Sequence, residues 1–233
     1  MNLKKTSLFL SLVGATFITL DTGNAVHALT FSEPPDAGPL LTNAANTVPT
    51  GVVGNNPATD LTRITGRLSG NADLFRIQVG TGLFEAIARG IDPNPVNDTQ
   101  LFLFDVNGFG IAANDDFSGG LGSRITQFLT AGIYYLGISK YDLDPVSRNR
   151  GTIAEIFPDT PFTAIVGPTG PGGAFPLFGW RGTISESGRA RNYEILLSST
   201  PVPTPALLPG LLALGAGGLR KRRDEVAEEG SEA

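Results

Sequence analysis

The stretch DLFRIQV, residues 73–79, sets Phe75, Ile77 and Val79 on one face and Arg76 and Gln78 on the other. A period of two marks a half-buried β-strand and does not fit the 3.6-residue period of a helix. LFEAIAR (83–89), RITQFLT (124–130), GIYYLGISK (132–140) and NYEILLS (192–198) read as further strands. TQLFLFD (99–105) is apolar on both faces, which predicts a central position in its sheet. Asn107-Gly108 follows it, the pair favoured where a tight hairpin needs positive φ, and GIAAND (110–115) is the predicted return strand. A turn at Ala131-Gly132 is expected to join the strands on either side. Thirty glycines and 17 prolines supply turn signals every eight to twelve residues, the spacing of an antiparallel β-sandwich.

Two segments interrupt the strand series. Residues 29–60 are rich in Pro, Asn and Thr and are expected to form an irregular N-terminal arm. Residues 142–191 form a Gly/Pro-rich insertion with apolar punctuation at Phe175, Leu177, Phe178 and Trp180. Those side chains either contact a ligand or pin a long loop to the body. Unpinned loops of this length are uncommon in compact domains, which favours pinning.

The two ends of the chain read as handling signals. Residues 1–28 carry Lys4 and Lys5, then an apolar run over 8–20, then small residues. This is the order of a secretory signal peptide rather than an amphipathic or buried helix. Val26 and Ala28 suit positions −3 and −1 of a signal-peptidase site, so a signal helix is removed after Ala28, with cleavage after Ala25 as the second choice. At the other end, residues 206–219 hold no charge. As a helix rising ~1.5 Å per residue they span roughly 21 Å, short of the ~30 Å hydrocarbon core. Extended back to Pro201, the segment spans a bilayer marginally. Arg220, Lys221, Arg222 and Arg223 hold its end on the cytoplasmic side, and an acidic tail, 224–233, follows.

Loss of the leader removes His27, the single histidine, and the chain has no cysteine. Ser-His-Asp and Cys-His mechanisms and the usual zinc sites are thereby excluded. What remains are carboxylates, hydroxyls and amides, which are ligands for hard cations, calcium above all. The candidate calcium ligands are Asp73, Asp105, Asn107, Asn114, Asp115 and Asp116, with Asp92 and Asp98 also oxygen-rich positions. Antiparallel pairing is expected to bring Asp105 near Asp115. The alternative reading of these groups is turn chemistry, since Asp and Asn cap turns. No EF-hand loop is present. A formal charge of −5, with a single basic cluster at 220–223, excludes a nucleic-acid partner. A small carboxylate-dependent extracellular hydrolase, for example a glycosidase, is the alternative to a non-catalytic binding protein. No catalytic carboxylate motif is visible among the sixteen acids between Leu29 and Thr200. Ser139 and Lys140 point to opposite faces of one strand.

Two family resemblances sit on these residues. VPTPALLPGLLALGAGGLRKRR (202–223) resembles the PEP-CTERM sorting signal, with Val202, Pro203, Thr204 and Pro205 as the proline motif and Arg220–Arg223 as the basic stop. Thr204 stands where the namesake glutamate would be. The resemblance implies membrane retention through 206–219, processing by an exosortase-type enzyme and release to the cell surface or matrix. A permanent membrane anchor and a buried core helix are the other readings of this segment. GRLSGNADLFRIQVGTG, TQLFLFDVNGFGIAANDD and SRITQFLTAGIYYLGIS together resemble the bacterial pre-peptidase C-terminal domain over residues 66–140. Its motifs fall at 73–75, 101–108, 113–116 and 131–138. GPTGPGGAFPLFGW resembles an insertion of exported cyanobacterial proteins that join this domain to this tail. The resemblance implies a jelly-roll-like sandwich of eight or nine strands over 61–199, used for adhesion to a substrate or to extracellular polysaccharide, in some members with calcium.

Overall fold

The computed structural model describes residues 29–34, 36–56, 58–69, 72–117, 119–182 and 191–201. The expected signal helix with Ala28, the sorting motif at 202–205, the apolar segment 206–219 and the basic run lie outside the described residues. Among the described residues there are thirteen strands and no helix. In chain order they are β1 (Leu29–Ser32), β2 (Ala45–Asn46), β3 (Leu61–Leu68), β4 (Asp73–Val79), β5 (Gly82–Gly90), β6 (Thr99–Phe104), β7 (Gly110–Asn114), β8 (Ser123–Leu129), β9 (Gly132–Lys140), β10 (Leu143–Asn149), β11 (Thr152–Glu155), β12 (Leu177–Gly182) and β13 (Arg191–Thr200).

These strands form two five-stranded sheets, ordered β1-β3-β13-β5-β8 and β2-β4-β9-β6-β7, and one three-stranded sheet, β11-β10-β12. Period-two burial explains how the five-stranded sheets meet. Ile64 and Leu68 of β3, Phe84, Ala86 and Ala88 of β5, and Ile195 and Leu197 of β13 point inward from the first sheet. Phe75, Ile77 and Val79 of β4, Leu101 and Leu103 of β6, and Leu136 and Ile138 of β9 point inward from the second, and all belong to one hydrophobic cluster. Each fully buried side chain of this size contributes about 1.5–3 kcal/mol. Residues 29–60 are more ordered than their composition predicts. They place β1 parallel to β3 on one sheet and β2 parallel to β4 on the other, so the arm supplies an edge strand to each layer.

The outward face of the second sheet is also dry. Leu74, Phe102, Phe104 and Tyr135 point away from the first core and form a second cluster with Ile156, Phe157 and Leu177 of the insertion. Trp180 seals it, with its ring 5.3 Å from that of Phe102 and its indole N–H donating to the Pro39 carbonyl at 2.7 Å. The insertion read from sequence as an irregular loop is thus a third layer built on β10, β11 and β12. Leu177 and Trp180 pin it; Phe175 is partly buried; Phe178 faces outward beneath the Arg148 guanidinium, 5.0 Å from the ring centroid. This layer also corrects the reading of β6. The strand lies next to an edge of its sheet, and it is apolar on both sides because two cores flank it.

Successive strands mostly change sheets. The chain crosses from β3 to β4, from β4 to β5, from β7 to β8 and from β8 to β9, so the turn at Ala131-Gly132 links two layers rather than one hairpin. The hairpin of β6 and β7 forms where Asn107-Gly108 predicts it. Gly108 sits at φ 86°, a conformation open to glycine and strained for most other residues. Truncation of a central inward ring is the direct test of the shared core. Phe84→Ala is expected to lower global stability by ~3–5 kcal/mol in chemical denaturation, within one cooperative transition.

Candidate acidic site at one end of the sheets

Three segments converge at the end of the second sheet where β6 begins and β7 ends. They are the approach to β6 (97–98), the chain leaving β7 (114–117), and the start and loop of the insertion (141–144 and 159–166). Backbone pairing holds them together. Ala113 and Val166 exchange N–H···O bonds of 2.9 and 2.8 Å, and Asp116 N–H donates to the Phe162 carbonyl at 3.0 Å. Asn114 is the clamp. Its amide donates to the carbonyls of Asp116, Phe162 and Ala164 at 3.1, 3.3 and 3.1 Å, while its carbonyl oxygen accepts Arg124 N–H at 2.8 Å. With those bonds made, Asn114 holds the three segments together and shapes the site.

Asp98, Asp115 and Asp116 meet here, each offering a carboxylate oxygen within 4.8 Å of the others. Burial raises the Asp115 carboxyl to about 7, and the charges of Asp98, Asp116, Asp144 and Asp159 add to the effect. Asp98 is also raised, by burial and then by Asp116. Asp144 is raised to about 6 by burial and by Asp159, against a bond from the Gln100 amide at 3.1 Å. One oxygen each of Asp98 and Asp115 is shut off from solvent with no hydrogen-bond partner among the described residues. Such oxygens are costly unless something positive or protonated reaches them.

The acids lie beside two spaces of mixed lining, the one at Asp98 also bordered by Lys140 and Arg191. A cavity of about 30 Å³ touches Asp115, Asp144, Asp159 and Phe162. That is room for a single small occupant, since a water needs roughly 10–15 Å³. A wider cavity of about 230 Å³ is lined by Asn97, Asp98, Leu121 and Tyr141, among others. Tyr141 and Phe162 meet edge to face with centroids 6.3 Å apart and are 46% and 40% exposed. Phe117 lies beneath Arg124, whose guanidinium carbon is 4.7 Å from the ring centroid. Exposed rings beside oxygen ligands present flat apolar faces and hydrogen-bond acceptors to the same molecule.

The six residues singled out from sequence do not form one site. Asp115 and Asp116 take part, and Asn114 supports them. Asp105 and Asn107 lie at the far end of the hairpin, because the register pairs Leu101 with Asn114 and Phe104 with Gly110. There the Asp105 carboxylate accepts the N–H groups of Asn107 and Phe109 at 2.8 and 2.9 Å and caps its own turn. Asp73 begins β4, is 1% exposed and accepts the Tyr193 hydroxyl at 2.8 Å. Asp92 is exposed. Asp144 and Asp159 were missed because they belong to the insertion, and no local pattern aims them at β7. Ser139 is buried and its hydroxyl donates to the Gln100 side chain at 3.1 Å.

No family model matches the chain, and no curated protein matches it in sequence. Among the described residues no helix is long and apolar enough to cross a membrane.

Three carboxylates and buried oxygens without donors fit a hard divalent cation such as calcium. The sign of the pH dependence follows from Asp115. Between the ordinary carboxylate range and about pH 7 the folded state holds a proton that the unfolded chain has lost, so its contribution to stability falls as pH rises through that window. A cation competes with the same proton and binds better above it. Calcium at about 5 mM, above the ~0.1–1 mM dissociation constants of extracellular calcium modules, is expected to raise Tm more at pH 8 than at pH 5. Asp115→Asn is expected to abolish that difference. Identical melting curves with and without calcium at both pH values would exclude the cation.

Proposed function

We propose that the chain is a non-catalytic exported protein of the cell surface or extracellular matrix. Its β-layers serve as a jelly-roll-like sandwich module, akin to the pre-peptidase C-terminal domain, that binds extracellular polysaccharide. The single observation that carries this reading is the acidic knot of Asp98, Asp115 and Asp116 rimmed by exposed Tyr141, Phe162 and Phe117 on loops at one end. Aromatic faces stack on the apolar faces of sugar rings, and carboxylates accept hydrogen bonds from their hydroxyls. Calcium, where bound, would be held by Asp98, Asp115 and Asp116 and would neutralise their mutual repulsion. It would supply no bond-breaking chemistry.

The remaining assignments rest on sequence. Residues 1–28 are a signal peptide cut after Ala28 by signal peptidase. Residues 200–223 are a PEP-CTERM-like sorting segment read by an exosortase-type enzyme, and 224–233 are an acidic tail. One observation favours the hydrolase alternative: Asp115, raised to about 7 beside other acids, has the protonation of a general acid. The cavity that Asp115 shares with Asp144 and Asp159 is about 30 Å³, too small to enclose a glycosidic bond with its flanking sugar rings, which supports binding over cleavage.

Retention on insoluble cellulose, xylan and calcium alginate tests the binding reading. At least one is expected to retain the wild-type chain. Tyr141→Ala combined with Phe162→Ala is expected to weaken retention by tenfold or more, about 1–3 kcal/mol per lost stacking contact. Unchanged retention would remove the aromatic rim from the account, and release of soluble sugar would favour the hydrolase. Cell fractionation with mass measurement of both termini checks the sorting assignments. Full-length chain in the cytosol would overturn export.

A further inference from the structure

At the same end of the second sheet, but three strands across it from Asn114, a second set of carboxyl groups sits where the N-terminal arm, β4 and β13 meet. Asp73 is almost fully buried, and its Oδ2 accepts the Tyr193 hydroxyl at 2.8 Å. Glu33, just past β1, brings a carboxylate oxygen within 4.8 Å of one from Asp73. Both Glu33 oxygens are also acceptors, Oε1 from Ala37 N–H and Oε2 from Arg67 N–H, each at 2.6 Å. Accepting through both oxygens is the pattern of a carboxylate, and Tyr193 has a single proton, given to Asp73. The proton between the two acids therefore sits on Asp73, which donates to Glu33 and accepts from Tyr193. Gly66 makes the cluster possible. A side chain there would collide with Glu33 Oε2 and the Tyr193 hydroxyl.

We propose that Glu33, Asp73 and Tyr193 form a proton-held latch that fastens β1 and residues 33–37 across the two sheets, and that alkaline loss of the shared proton releases this arm. Among the described residues, the charges raising the Asp73 carboxyl are those of acids. The charged groups that face Asp73 are Glu33 and Asp36, both acids, and Asp36 is turned toward the Ser69 hydroxyl at 2.7 Å. Arg67 of β3 contributes its backbone N–H, β13 contributes the Tyr193 hydroxyl, and β9 places Ile138 opposite Asp73. Burial, followed by the Glu33 charge, raises the Asp73 carboxyl to about 9. Once Asp73 ionises, two like charges share a buried site. The element that yields is set by topology. β4 lies between β2 and β9, and β13 between β3 and β5, whereas β1 is a four-residue edge strand held by β3 alone. Phe31, packed edge to face on Phe75 at 6.1 Å, leaves with it.

The site is a proton site rather than a metal site. Asp36 does bring a third acid oxygen within 4.8 Å, but Tyr193, Ala37, Arg67 and Ser69 already donate to these carboxyl groups.

Hydrogen exchange of the full chain across pH, expressed as protection factors, tests the latch. The closed arm holds a proton that the open arm gives up, so opening becomes more favourable with pH and levels off as Asp73 titrates in the closed form, at about 9. Protection of the Ala37, Arg67 and β1 amides is expected to fall by up to about tenfold per pH unit below that plateau. β5 and β9 are expected to keep theirs. Asp73→Asn retains a neutral acceptor and donor and is expected to flatten the profile. A flat profile in the wild type, or an equal slope in Asp73→Asn, overturns the latch. The carbon-13 shift of the Asp73 carboxyl in the wild type gives a readout independent of any variant. Titration at alkaline pH supports the proposal, and titration in the ordinary carboxylate range overturns it.

Discussion

The second sheet is buried on both faces, and the rest of the molecule is organised around that constraint. Leu101 and Leu103 of β6 serve one core while Phe102 and Phe104, between them in sequence, serve the other. A strand in that position has no contact with water along either side, so its polar groups must be paired by protein. They are. The Thr99 and Ser123 hydroxyls bond at 3.0 Å, and Gln100 links the Ser139 hydroxyl to the Asp144 carboxylate. The third layer is thus required by β6 as much as it is appended to it, because without it Phe102, Phe104 and Tyr135 would form an exposed apolar face.

That same layer builds the acidic end. Covering the second sheet carries the insertion past the mouth of the β6–β7 hairpin, where it delivers Asp144, Asp159 and Phe162 to a place already holding Asp98, Asp115 and Asp116. Packing brings the acids together despite their charge, and burial keeps water from screening them. The resulting group holds protons at pH values where free carboxylates have lost theirs. A site of this kind is primed to take up positive charge, and the exposed rings around it set an apolar rim on loops that the rigid layers hold in place.

The two carboxyl clusters differ in how their repulsion is relieved. At Asp73 the relief is internal, from a shared proton, a tyrosine hydroxyl and two backbone amides. At Asp98 and Asp115, buried oxygens remain without a donor among the described residues. The first arrangement ties parts of the fold together, and the second leaves chemistry to be completed from outside. Their separation across the sheet is why grouping Asp73 with Asp115 from sequence does not hold. Asp73 and Asp115 look alike as acids beside strands, and only their neighbours distinguish them.

Period-two patterning made β4, β5, β8, β9 and β13 legible, because a strand with one buried face writes that face into its own residues, and β6 was legible as a continuous apolar run. Asn107-Gly108 marked the β6–β7 hairpin for a similarly local reason, the positive φ that glycine tolerates. The lack of cysteine, and a single histidine at His27 in the expected leader, point the sequence reading to oxygen ligands. What tertiary structure alone decided was partnership. Pairing β1 with β3, crossing from β8 to β9 between layers, and laying 142–182 over Phe102 and Phe104 all depend on contacts between residues far apart in the chain. The same is true of the acidic site, since Asp98 and Asp159 reach Asp115 through hairpin register and insertion packing. Local sequence records which face of a strand is buried; what buries it is settled by the free energy of the assembled layers.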